Sequence, residues 1–254
     1  MPDSTLRMPD STPRMPDSTL HVHPDPEALG RAAAGQIVQW LHEAPADRPL
    51  SLVLAGGSTP APCYRHLATT FRDAVPWHRL YLFWGDERVV PPDDPASNFR
   101  MALHTLIQHV PIPPEHVHRM PTDGAPPTVA ARAYEATLRA FFDAQSDDRF
   151  DVTLLGMGAD GHTASLFPND PILQEREAWV CPVEAPSYMT PTRRLTLTVP
   201  RLNRSRHVLF LVAGEAKRAP LRRILTEPPT DALPASRIQA TDTLAWFVDA
   251  AARP

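Results

Sequence analysis

Apolar and polar positions alternate along this chain in two rhythms. In PEALGRAAAGQIVQWLHEA, residues 26–44, Leu29, Ile37, Trp40 and Leu41 fall on one face, which predicts a helix. A short unbroken apolar run follows, LSLVLAGG at 50–57, and reads as a buried strand ending in glycines. TPAPCYRHLATTF, 59–71, then opens a helix with proline near its first turn. The exchange repeats. HRLYLFWGDERVV, 78–90, reads as a strand broken by Gly85, and SNFRMALHTLIQHV, 97–110, as a helix capped by Ser97 or Asn98. TVAARAYEATLRAFFDA, 128–144, is a helix and FDVTLLGMG, 150–158, a strand. RRLTLTVP, 193–200, alternates as a strand does; RHVLFLVAG, 206–214, is a strand and EAKRAPLRRILTE, 215–227, a helix after it. TDTLAWFVDAAA, 241–252, reads as a closing helix.

Strands that alternate with helices predict an α/β fold: a single three-layer α/β/α domain with a mainly parallel, Rossmann-like sheet. Ligands of such folds bind at the carboxyl ends of the strands. Four strands here end in glycine-bearing polar loops, AGGSTP (55–60), WGDERVV (84–90), GMGADGHTAS (156–165) and AGEAK (213–217). All four are expected on one edge of the sheet.

The first 20 residues depart from this pattern. They repeat MPDSTLR, MPDSTPR and MPDSTL, with proline in every unit, which argues against a coiled coil and for a disordered tail. Met1, Met8 and Met15 could each start translation. The domain is expected over residues 21–254.

Composition narrows the function. The chain has 254 residues, 43% of them hydrophobic, enough for a sizeable core. A formal charge of −4 offers no basic footprint for nucleic acid. No apolar run approaches the roughly 20 residues that span a bilayer, and the N-terminus lacks the apolar core of a signal peptide, so the expected location is cytoplasmic. Cys63 and Cys181 are too few for a disulfide framework and are expected to be reduced. Lysine occurs once, at Lys217, among 25 Lys and Arg residues. Either chance left it there or a compact ammonium is needed at that loop.

The loops carry the chemistry. In AGGSTP, Gly56 and Gly57 permit close backbone approach, and Ser58 and Thr59 offer hydroxyls and N–H groups at a helix start. That is a phosphate cradle or a plain strand-to-helix turn capped by Ser58 or Thr59. It is not a P-loop, since no Gly-Lys-Ser/Thr follows. Asp86, Glu87 and Arg88 at an inner strand end either pair with one another or bind a ligand. GMGADGHTASLFP, 156–168, places three of the chain's 10 glycines (Gly156, Gly158, Gly161) around one acid and one histidine. Asp160 can orient the His162 imidazole as a general base, and the glycines can present N–H groups.

Together these loops resemble one family, the 6-phosphogluconolactonases of the oxidative pentose phosphate pathway, related to glucosamine-6-phosphate deaminases. The likeness runs from about residue 25 to 250 and rests on LAGGSTP (54–60), FWGDERVVPPDDPASNF (83–99), LLGMGADGHTASLFP (154–168), RLTLTVPRLN (194–203) and LVAGEAK (211–217). The resemblance implies hydrolysis of 6-phospho-D-glucono-1,5-lactone, with a small sugar-phosphate lactone as the only partner and neither metal nor organic cofactor. A monomer or weak homodimer is expected. His162 suits the base, with Asp160 or Asp86 orienting it or binding sugar hydroxyls. Gly56, Gly57, Ser58, Thr59, Arg88 and Lys217 suit the phosphate; the Gly156–Gly161 amides, Gly158 among them, and Arg194 suit the developing oxyanion. Many family members carry a Ser-Lys-Pro-Pro-like segment before the RLTLT strand. Here SYMTPTR (187–193) has no lysine, and Arg193 is the candidate substitute.

Two other functions compete. The related deaminases and isomerases carry an acid five residues after the histidine, where this chain has Phe167, which cannot relay a proton. A non-catalytic sugar-phosphate binding domain would have no need of both Asp160 and His162.

Overall fold

The computed structural model describes residues 19–254. The heptad repeat therefore lies outside the described residues, except for its last two.

Six strands form one parallel sheet in the order β1-β9-β8-β5-β2-β3. They are β1 (Thr19–His23), β2 (Leu50–Leu54), β3 (Leu80–Trp84), β5 (Phe150–Gly156), β8 (Ser205–Val212) and β9 (Thr243–Asp249). The central strands are covered on both faces. Every residue of β2, and of β5 from Phe150 to Leu155, is buried, which is why they read as continuous apolar runs rather than alternating ones. Each such Leu, Val or Phe contributes about 1.5–3 kcal/mol through burial. The helices α1 (Pro26–Glu43), α2 (Ala61–Ala68), α3 (Asn98–Thr105), α4 (Pro127–Asp143), α5 (Val199–Asn203) and α6 (Arg218–Thr226) flank the strands.

A second sheet, absent from the sequence expectation, is antiparallel: β4 (Asp86–Arg88), β7 (Arg193–Leu197) and β6 (Val180–Glu184), with β7 in the centre. The stretch 78–90 is thus two strands in two sheets. Gly85 is the junction: its N–H donates to the Leu54 carbonyl of the large sheet at 3.1 Å, and its carbonyl accepts from Leu197 N–H of the small one at 2.8 Å.

Other elements also differ from expectation. TDTLAWFVDAAA is not a helix; Thr243–Asp249 pairs in parallel with β8 on one side and β1 on the other. Its last six residues are buried, and an all-round apolar run of this length fits a central strand as well as a helix. Thr19 and Leu20, the last two residues of the repeat, pair with Ala245 and Trp246. Asp25 caps α1 by accepting from Ala28 N–H at 2.8 Å, and Ser97 rather than Asn98 caps α3, accepting from Arg100 N–H at 3.2 Å.

Candidate active site

The four glycine-bearing loops do meet at the carboxyl ends of the parallel strands. They line a cavity of about 570 Å³, closed on a further side by Tyr188, Met189 and Thr190. Gly56, Gly57, Ser58, Thr59, Asp86, Arg88, Gly158, His162, Arg194 and Lys217 all line it. Asp160 stands behind His162.

Two buried tyrosines anchor the loops to the sheet. Tyr64 donates to the Ala55 carbonyl at 2.8 Å and accepts from Ala55 N–H at 2.9 Å, fixing the start of AGGSTP. Tyr134 accepts from Trp84 N–H at 2.8 Å, just before the next loop. The capped-turn alternative for α2 is not realised: neither Ser58 nor Thr59 caps it, and Pro60 takes the cap position. Both hydroxyls are therefore left for the cavity.

The three charges after β3 have separate tasks. Glu87 is a buried helix-start carboxylate. It accepts from Arg88, Asn98 and Phe99 N–H, each at 2.7 Å, and from Ser97 Oγ at 3.1 Å. Burial pushes its carboxyl up and those N–H donors oppose the rise. Asp86, 8% exposed, accepts from Ser165 Oγ at 2.7 Å and Asn98 Nδ2 at 3.3 Å. Arg88 donates to the Ala96 carbonyl through Nη1, and its Nε is buried without a partner.

The glycine-rich turn wraps one acid–imidazole pair. His162 Nδ1 lies 2.6 Å from Asp160 Oδ1, and the same oxygen accepts from His162 N–H at 3.1 Å. Asp160, not Asp86, is therefore the acid in contact with the imidazole. Partial burial would push the Asp160 carboxyl up, but the hydrogen bonds and charge of His162 hold it at about 2. Among the described residues His162 Nε2 has no hydrogen-bond partner. Two glycines make the turn. A Cβ on Gly158 would sit 2.1 Å from His162 Nδ1 and 2.4 Å from Asp160 Oδ1, so only glycine lets the pair close over it. Gly161 has φ +82°, the left-handed region. The N–H groups of Gly158 and Gly161 are spent inside the turn, on the carbonyls of His162 and Gly158. The expectation that these two amides face a ligand is corrected by that bonding.

The cavity's other charge is largely positive. Lys217 follows Gly214, whose N–H donates to both Asp249 oxygens at 3.1 Å, which fixes the AGEAK loop. Burial lowers Lys217, and the nearby Asp160 charge works against that. Burial also lowers Arg194, with Arg88 adding to the effect. Arg193, the candidate substitute for the missing lysine, is exposed and opens on a separate groove with Glu184 and Pro127. Alternation along β7 gives the cavity to Arg194 instead.

Sequence reasoning passed over Tyr64, Asn98, Ser165 and Tyr188. Asn98 and Ser165 stand inside quoted motifs, where their polarity was the only available signal. Among the described residues no group of three or more His, Cys, Asp or Glu side chains could hold a metal ion, and no helix is long and apolar enough to cross a membrane.

The family model described as glucosamine-6-phosphate isomerases/6-phosphogluconolactonase matches residues 24–246. A 6-phosphogluconolactonase of Synechocystis is 42% identical over 202 residues, 78% of this chain and 81% of that one. The human 6-phosphogluconolactonase is 38% identical, with 92% of each chain covered. The crystal structure of 6-phosphogluconolactonase from Thermotoga maritima superposes with a TM-score of 0.80 at 32% identity, covering 92% of this chain and all of the other. With one fold, one family match and relatives alike over nearly their whole length, the chain belongs to the glucosamine-6-phosphate isomerase/6-phosphogluconolactonase family.

Proposed function

We propose that this protein hydrolyses 6-phospho-D-glucono-1,5-lactone to 6-phospho-D-gluconate, with His162 as the base that activates water. The observation that carries the reading is the Asp160–His162 pair, which commits Nδ1 and leaves Nε2 toward a cavity lined by three cations. Asp160 fixes the tautomer in which Nδ1 bears the proton, so Nε2 can accept one. Water loses a proton to Nε2 as its oxygen bonds to the lactone carbonyl carbon. Arg194 then faces the developing oxyanion. Collapse breaks the bond to the ring oxygen, which leaves as a hydroxyl with the proton from the imidazolium. The phosphate is held by the Gly56–Thr59 loop with Arg88 and Lys217, and Asp86 receives sugar hydroxyls.

Phe167 supports hydrolysis over isomerisation. Its ring centroid lies 5.2 Å from that of His162, where an isomerase would need an acid. The test is to generate the lactone enzymatically and follow acid release. Release well above the spontaneous rate is expected; release at the spontaneous rate refutes the proposal.

A further inference from the structure

Tyr188 lies in the 185–192 connection between β6 and β7. The base of that connection is closed by Ala185 N–H donating to the Thr192 carbonyl at 2.8 Å, and its tip by Met189 N–H donating to the Pro186 carbonyl at 2.8 Å. Tyr188 is 73% exposed, an unusual state for an aromatic side chain that lines a cavity. Its hydroxyl nevertheless lies 3.4 Å from Asp160 Oδ2.

The two oxygens of Asp160 are used differently. Oδ1 takes both bonds from His162, and among the described residues Oδ2 meets only Tyr188. We propose that Tyr188 is a positioning residue: its hydroxyl donates to Oδ2, sets the plane of the carboxylate, and through it tunes how tightly Asp160 holds the His162 imidazole. This rests on the reading of His162 as the base. Lys217 is the other charge acting on Asp160, while Asp86, Arg88 and Arg194 line the same cavity. Desolvation and, after it, the Asp160 charge raise the Tyr188 phenol, which keeps it protonated and able to donate. The direction of the effect follows. Without the donor, charge on the carboxylate is less dispersed, the imidazolium is held more tightly, and a more alkaline solution is needed to free the base.

The experiment compares the wild-type protein with Tyr188→Phe, a change at an exposed ring that keeps its shape. In the variant, kcat should fall about 3–10-fold while KM for the lactone stays within about twofold, as loss of one weak charged hydrogen bond implies. The acid limb of the pH–rate profile should move up by about half a pH unit. The His162 ring signal, identified by its loss in His162→Asn, should titrate later by the same amount in NMR. An unchanged titration together with unchanged kcat overturns the proposal. The NMR reading needs no turnover. If Tyr188→Phe moves the titration while His162→Asn stays active, the contact stands and the base assignment falls.

Discussion

Arg88 and Arg194 stand directly opposite each other on the antiparallel strands β4 and β7, and both line the cavity. Like charges paired across strands destabilise a sheet. This pair sits in a cavity beside the chain's single lysine, and an anion bound between the cations would relieve the repulsion. Arg194→Met should therefore leave the melting temperature of the ligand-free protein unchanged or higher. The same variant should weaken 6-phosphogluconate binding by about 10–100-fold, the range for loss of a charged hydrogen bond. Lys217→Ala should weaken binding similarly, with the fold intact. Calorimetric titration and thermal melts check both variants; unaltered product affinity in either removes that cation from the phosphate or oxyanion site.

Gly158 is the position where the backbone and the Asp160–His162 pair compete for one volume. In Gly158→Ala the new methyl would lie 2.1 Å from His162 Nδ1, so the imidazole must move. Misplacement of a reacting group by about 1 Å costs on the order of 10²-fold in rate. Turnover should fall by about that factor while the far-UV spectrum is retained. Normal turnover would show that the pair need not close over this glycine.

Arg201 tests the packing among α4, β5 and the segment that leads into β6. It is 1% exposed, with its guanidinium 4.1–4.3 Å from the rings of Trp179, Phe150 and Phe142. Only Nη1 finds an acceptor, the Asp148 carbonyl at 2.7 Å, while Nε and Nη2 have none. Burial lowers its pKa to about 9. Arg201→Met keeps the volume and drops the buried charge, so it should be neutral or stabilising in urea unfolding. Arg201→Ala leaves a cavity and should cost about 2–4 kcal/mol. Equal loss in both variants would mean that the aromatic cage needs the cation itself.

The domain boundary can be set by truncation. Strand β1 pairs with β9 from Thr19 onward. A chain that starts at Thr19 should keep full activity and melt within a degree or two of the full-length protein, since the proline-bearing repeat has little apolar surface to bury. A chain that starts at Asp25 loses the strand and should melt several degrees lower. A large loss on removing only the first 18 residues would place the repeat in the fold.

Much of the site was legible because its chemistry is concentrated in loops between elements that alternate cleanly. Gly158, Asp160, His162 and Lys217 stood out by residue type and position alone. The small sheet was hidden because β4 has only three residues and β6 carries Pro182 and Glu184, so neither gives a period. The closing strand was misread because a run buried on both faces has no polar side to reveal its period. Tyr188 could not be found from sequence, since its partner Asp160 lies 28 residues away on another loop.

The proposed base, His162, can be tested directly. Asp160 stays ionised down to about pH 2, despite the upward push of burial, because His162 pairs with it. The stability this adds is fully present above the ordinary carboxylate range, near 3.9, and is lost as pH falls toward about 2. Loss of turnover on acidification above that range is therefore not caused by protonation of Asp160. The most direct measurement is the turnover of His162→Asn at saturating lactone, corrected for spontaneous hydrolysis, with product affinity measured in parallel. A fall of about 10²–10⁴-fold in kcat is expected, with product affinity changed far less. Near-normal turnover in the folded variant would contradict it and move the base to Asp160 or Asp86.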